Sequence, residues 1–257
     1  MSTIDHFLSS SEDRGTARKA GAALALASAL AVAGFTVLGS VFDYPQILEE
    51  PTSDILTLYR DHQGAVMAWF GVLVLSAALL APAGIWLGRI AGGTLGRWIA
   101  GIGIAAATVQ VVGLQRWVTL VPGISHDALA PSTRAAAEDR FELWHTVLGN
   151  AIGETVGYAL TAAFTVLVVI ALGRTVLPGW LVIVGYAGAA LIATGVLSPI
   201  LGAASLANFA GYVTWCAWLL AVAVVLFRVR DDTEADADPG GTRGPSPDGP
   251  GTQRGVV

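Results

Sequence analysis

Six apolar runs, each roughly 20 residues long, alternate along this chain with short polar or Gly- and Pro-bearing segments. That is the length an α-helix needs to cross about 30 Å of hydrocarbon. The runs predict spans over about Ala20 to Phe42, Ala65 to Leu87, Trp98 to Val121, Leu143 to Leu172, Gly179 to Leu197 and Leu206 to Phe227. The first follows Arg14, Arg18 and Lys19 as a signal peptide would, but it is too long and lacks a small-residue cleavage pattern, so it reads as an uncleaved span. Pro82 is expected to bend the second span, and Ser198-Pro199 to separate the fifth from the sixth.

The connecting segments carry their own signals. Pro51-Thr52-Ser53-Asp54 starts a helix, and Ile55, Leu56, Leu58 and Tyr59 give it an apolar side suited to the membrane interface. Pro131-Ser132-Thr133 starts another within the loop 122–141. Residues 1–19 read as a cytoplasmic N-terminal segment, 20–228 as the membrane domain, and 229–257, rich in Asp, Gly and Pro, as a disordered cytoplasmic tail.

Composition agrees. Charged residues make up 13% of the chain, half of the roughly 25% usual in soluble domains, and they collect between the runs. Much of the net charge of −5 sits in the C-terminal tail and says little about partners. The single cysteine, Cys216, excludes an intrachain disulfide. Basic residues set the orientation: Arg14, Arg18, Lys19, Arg89, Arg97, Arg174, Arg228 and Arg230 flank one side, against Arg60, Arg134 and Arg140 on the other, eight to three. The expected fold class is therefore an all-α membrane protein, a six-transmembrane-helix bundle of N-in/C-in topology in the plasma membrane.

Ionisable groups inside a bilayer cost about 2.5–3.5 kcal/mol each, and here they concentrate in spans three and four. Span three carries Gln110, Gln115 and Arg116; span four carries His145, Asn150 and Glu154. On an α-helix Glu142, Thr146, Asn150, Glu154 and Tyr158 share one face, beside a Gly149, Gly153, Gly157 stripe that admits a neighbouring helix. Arg116 lies roughly 9 Å and Glu154 roughly 16 Å below the outer end at 1.5 Å per residue. A buried Arg116–Glu154 pair framed by Gln115 and Asn150 is the sharpest structural expectation. His145, nine positions before Glu154, falls half a turn away and reads as an interfacial histidine facing elsewhere. Trp117 and Trp144 read as aromatic-belt anchors. The glycine stripe, like Gly185, Ala189 and Ala193, reads as packing, and packing also competes as the role of the charged pair.

Phe42-Asp43-Tyr44-Pro45, Gly113-Leu114-Gln115-Arg116-Trp117 and the stretch from His145 through Gly149 to Gly153-Glu154 resemble an uncharacterised family of bacterial, largely actinobacterial membrane proteins, catalogued as domain of unknown function 4386. The resemblance covers roughly residues 20–228 and implies a six-span integral membrane protein, with no activity to assign to a residue.

Three functions compete. Arg116, Glu154, Asn150, Gln115 and His145 form a candidate site for a small ligand or for protons, in a transporter or sensor. Glu154 alternatively serves as the general acid of an intramembrane enzyme acting on an isoprenoid or other lipid, comparable in form to membrane terpene cyclases. That reading asks for a second acid facing the same cavity, and no span supplies one. The third is a structural or interaction subunit whose membrane-protein partner supplies the activity. The chain has no phosphate-binding glycine loop, zinc helix, Cys-rich site or dinucleotide fingerprint. The expectation is no metal, no cofactor and no nucleic acid, with the lipid bilayer as the certain partner.

Overall fold

The computed structural model describes residues 11–173, 175–198 and 201–228, apart from the side chains of Ser11, Gly202 and Ala203. Residues 1–10, the flanking Arg174 and Arg230, the break at Pro199 and the tail 229–257 lie outside the described residues. Among the described residues six helices are long and apolar enough to cross a membrane: Glu12–Val41, Gln63–Ala91, Gly93–Asp127, Arg134–Leu172, Gly179–Leu197 and Ala204–Arg228. Consecutive spans pack side by side and the sixth returns against the first, closing an up-and-down ring. An even number of crossings puts both ends of this ring on one side.

Prolines and glycines punctuate the helices where their chemistry requires it. The second span is interrupted at Leu79, between Gln63–Ala78 and Leu80–Ala91. Pro82 lacks the N–H that would bond the Ala78 carbonyl, and its ring crowds that carbonyl, so the break falls one turn before the proline. Gly92 and Gly93, at φ 66° and 56°, make the tight turn into span three. That span jogs at Leu120 and continues as Val121–Asp127, with Pro122 in its first turn.

Much of the loop 122–141 is therefore helical, and Arg134–Trp144 begins right after Thr133. Together with Thr52–Asp61, which starts after Pro51, these segments cover the end opposite the termini. Arg60 Nη1 donates to the Ser125 carbonyl at 3.0 Å, Arg140 Nη2 to Asp127 Oδ2 at 2.5 Å, and Thr52 Oγ1 to Glu142 Oε1 at 3.0 Å. The face of Ile55, Leu56 and Tyr59 is buried against protein and does not lie along the membrane interface. The reason is a competing apolar surface: Val121, Ile124 and Phe141 offer the helix a protein partner at the same level.

Two apolar cores result. One runs from Ala17 and Leu24 through Leu87, Phe164 and Leu172 to Trp218 and Leu226. The other gathers Phe42, Tyr59, Phe70, Trp117 and Phe141 beneath the short helices. Trp117 is fully buried, stacked on Phe70 at 5.0 Å and edge-on to Phe42 at 5.2 Å, so it is not a belt anchor. The belt reading assumes that lipid surrounds the end of a span, and here three short helices take the lipid's place. Trp144, 39% exposed, stays on the outside as a belt residue would. Gly185 and Ala189 are buried between spans as packing residues, whereas Ala193 is exposed.

Candidate functional site

Span four does not begin as an α-helix. Arg134–Trp144 passes into a π-helix over His145–Val156 before α-helical geometry resumes at Gly157. The wider i→i+5 coil turns less per residue than an α-helix. Nine residues make roughly 2.5 α-helical turns, but close to two full turns of the wider coil. His145 and Glu154, expected on opposite sides, are thereby brought round to the same side. The four-residue stripe separates for the same reason: Glu142 and Thr146 are exposed, while Asn150 and Glu154 are half-buried.

Span three meets this segment through bare backbone. A Cβ on Gly153 would lie 3.0 Å from Gly113 Cα, so the two helices touch at their glycines. One turn above, a Cβ on Gly149 would lie 2.6 Å from Arg116 Nη2. Gly149 therefore makes the recess that holds the guanidinium, a role beyond helix packing. Arg116 Nη1 donates to the Gly113 carbonyl at 2.5 Å, and Nη2 faces His145 Nδ1 at 3.5 Å. The guanidinium carbon lies 5.3 Å from the centre of the Trp117 ring, and the His145 ring stacks on Phe141 at 5.6 Å.

The expected direct pair does not form: Arg116 and Glu154 do not close to the 4.0 Å of a salt bridge. The guanidinium is held at the level of Gly149 by the Gly113 carbonyl and His145, one turn above the carboxyl. A charge-assisted hydrogen bond contributes about 1.5–3 kcal/mol and a desolvated cation–π contact about 2 kcal/mol. Together, at about 3.5–5 kcal/mol, these outweigh the cost of placing an arginine in the bilayer, about 2.5–3.5 kcal/mol. Arg116 is nevertheless incompletely satisfied. It is only 4% exposed, and its buried Nε has no hydrogen-bond partner.

Glu154 lies in electrostatic range of Arg116, Tyr44, Tyr158 and Tyr212, four groups from four different parts of the chain. Tyr44 comes from the turn after span one. Asp43 adopts φ 51°, a left-handed conformation that aspartate tolerates better than most residues. The turn is closed by Tyr44 N–H donating to the Leu38 carbonyl at 3.3 Å, and the Tyr44 ring packs on Phe35 and Phe70. Loss of solvent and the nearby Glu154 carboxyl push the Tyr44 phenol up to about 12, against an opposing pull from Arg116.

Deeper, Tyr158 meets Tyr212, and Tyr212 meets Trp215. Gln110 Nε2 donates to Thr161 Oγ1 at 2.7 Å and Trp215 Nε1 to Thr165 Oγ1 at 2.8 Å. Of the five expected site residues, Arg116 and His145 are thus in contact and Glu154 lies in electrostatic range below. Asn150 is half-buried on the same segment and makes none of these hydrogen bonds. Gln115 is not part of the group: its Oε1 accepts from Thr119 on its own helix. Tyr44 and Tyr212 were not foreseen as site residues, because a loop tyrosine and a tyrosine within an apolar run carry no local mark of convergence.

A family model matches residues 19–223, a stretch that begins at Lys19 and ends within span six. The chain belongs to the family described as Domain of unknown function (DUF4386). No curated protein and no solved structure matches it. The three stretches that carry the DUF4386 resemblance, separated by up to a hundred residues, supply Phe42 and Tyr44, then Gly113, Arg116 and Trp117, then His145, Gly149 and Glu154. Phe42 touches Trp117, Tyr44 is in range of Arg116 and Glu154, and Arg116 contacts His145. In this DUF4386 protein the three stretches are one place.

Proposed function

We propose that this multi-pass membrane protein handles a small ligand at the cluster of Arg116, His145 and Glu154, with Tyr44 above and Tyr158 and Tyr212 below. The observation that carries the reading is the buried Arg116 Nε without a partner. A cation kept only to lock two helices together would be fully bonded by them, since an unmade hydrogen bond to a buried charged group costs more than the bond contributes elsewhere. A π-helical segment beside it is also characteristic of functional sites. The lipid-transforming alternative asks for a second carboxyl near Glu154, and the charged and phenolic groups acting on Glu154 are Arg116 and tyrosines.

We further place the protein in the plasma membrane with both termini in the cytoplasm. Among the described residues Arg14, Arg18, Lys19, Arg89, Arg97 and Arg228 flank the terminus-bearing end, while Arg60, Arg134 and Arg140 belong to the covered end. The site then lies in the outer half of the bilayer.

Native mass spectrometry of gently extracted protein tests the function. Wild type should carry a small molecule or lipid that the Arg116→Met/Glu154→Leu double variant lacks while keeping its helical content and elution volume. Two equally empty or equally loaded proteins would sink the reading in favour of a packing role.

A further inference from the structure

The open valence of Arg116 points to the class of molecule that fills it. The guanidinium has one edge engaged, with Nη1 on the Gly113 carbonyl and Nη2 facing His145. Its Nε–H is unused, in a side chain that is 4% exposed. The Nε and Nη2 hydrogens of an arginine form a planar fork that matches the two oxygens of a carboxylate or a phosphate. Among the described residues Glu154 is the carboxyl that acts on Arg116, and it does not take that place.

Resting on the ligand site proposed above, we infer that Arg116 receives the oxyanion of a singly charged ligand, a carboxylate or a phosphodiester. Charge balance limits the ligand's charge to one. Among the described residues Arg116 is the only cation that acts on Glu154 and Tyr44, so it balances a single oxyanion charge while Glu154 is protonated. A dianion would leave at least one buried charge without a counterpart, at several kcal/mol. The phenols of Tyr44 and Tyr158, both in range of Arg116, are the donors available to the oxyanion's remaining lone pairs. The same chemistry is offered by the headgroup of a fatty acid or phosphatidylglycerol and by a small free anion.

Thermal unfolding of the full chain in a neutral detergent reads this directly, with laurate, phosphatidylglycerol, acetate and methyl laurate as probes. Laurate or phosphatidylglycerol should raise the melting temperature where acetate does not if the source is a lipid. Acetate alone should suffice if the source is a free anion. Methyl laurate, with the same tail and no charge, should do nothing. Arg116→Lys keeps the charge but not the fork, and should weaken the effective anion at least tenfold. Glu154→Gln removes a carboxyl that must be protonated when the anion binds and should strengthen binding severalfold, which also serves if the lysine variant fails to fold. Methyl laurate acting as well as laurate, no response to any anion, or weaker anion binding in Glu154→Gln would each overturn the inference. A neutral or cationic molecule lost from the Arg116→Met/Glu154→Leu variant would leave the site standing and remove the anion. Protein empty in both forms would remove both.

Discussion

Around Ala17, Leu24 and Leu226 the spans meet through alanine, leucine and valine, whereas Trp117 and the four aromatic rings that touch it form a contiguous layer under short helices. Lipid tails are as apolar as leucine, so the aliphatic end gains little by hiding its side chains from the bilayer. It relies on close approach, as where a Cβ on Gly103 would lie 3.0 Å from Gly84 Cα, and on hydroxyls that bond a neighbouring backbone. Ser28 Oγ donates to the Cys216 carbonyl at 2.9 Å and Ser76 Oγ to the Ala27 carbonyl at 2.7 Å. The aromatic end is different in kind. It has its own layer of protein between the spans and the outside, and there a buried cation and a carboxyl are held without a salt bridge between them. The difference separates a half of the bundle that lipid could replace from a half that lipid could not.

The sharpest way to break that distinction is Trp117→Ala. It should cost about 3–5 kcal/mol, the range for emptying a large aromatic site, in reversible denaturant unfolding from micelles. Leu24→Ala in the other half should cost less, because lipid or detergent tails can fill in from the side; equal losses would erase the contrast. Gly153→Ala and Gly103→Ala come next. Each places a Cβ 3.0 Å from a backbone Cα of the adjoining span, at Gly113 and Gly84 respectively. Overpacking of this kind should cost about 1–3 kcal/mol in either case. Only Gly153→Ala should also change the ligand profile seen by mass spectrometry, since only that crossing adjoins Arg116.

Smaller effects follow from single hydroxyls. Tyr59→Phe removes the 2.8 Å bond from its Oη to the Trp117 carbonyl, at the covered end. The expected loss is about 1 kcal/mol. Ser76→Ala should lose about 0.6 kcal/mol, the average for hydrogen bonds between membrane helices. The same unfolding measurement orders the two, and the reverse order would argue that the covered end is no drier than the rest.

A further effect is confined to alkaline solution. With its folded value at about 12 against an ordinary 10.0, the neutral Tyr44 phenol contributes stability that is fully present below pH 10. That contribution is lost as the pH rises through 12. Ultraviolet titration should show one phenol fewer ionising near pH 10 in wild type than in a variant with Tyr44 exposed, and Tyr44→Phe should flatten the stability curve in that window.

The architecture was legible in the sequence because a membrane span is a local property. Twenty apolar residues must form a helix in hydrocarbon, where no other structure satisfies their backbone without a partner strand. The runs at 65–87 and 179–197 therefore read correctly to within a few residues, as did the end of the first near Phe42 and the helix start at Pro51, although the first helix already begins at Glu12. The identities of Arg116, Glu154 and His145 as unusual residues were equally local, since their cost in lipid does not depend on what they touch.

Their arrangement was not local. An α-helical period puts His145 away from Glu154 and Glu142 beside it, and the π-helix over His145–Val156 reverses both. Nothing in the residue pattern announces that change, because an i→i+5 coil is chosen by packing and not by composition. The guanidinium rests against Gly149 beside the Gly113–Gly153 crossing, and Tyr44 joins from a turn in which Asp43 is left-handed. The sequence by itself thus determined how many times the chain crosses and which residues are out of place in lipid. Tertiary structure alone decided that Arg116 faces His145, stands apart from Glu154 and keeps a donor free, because those outcomes depend on how two helices touch.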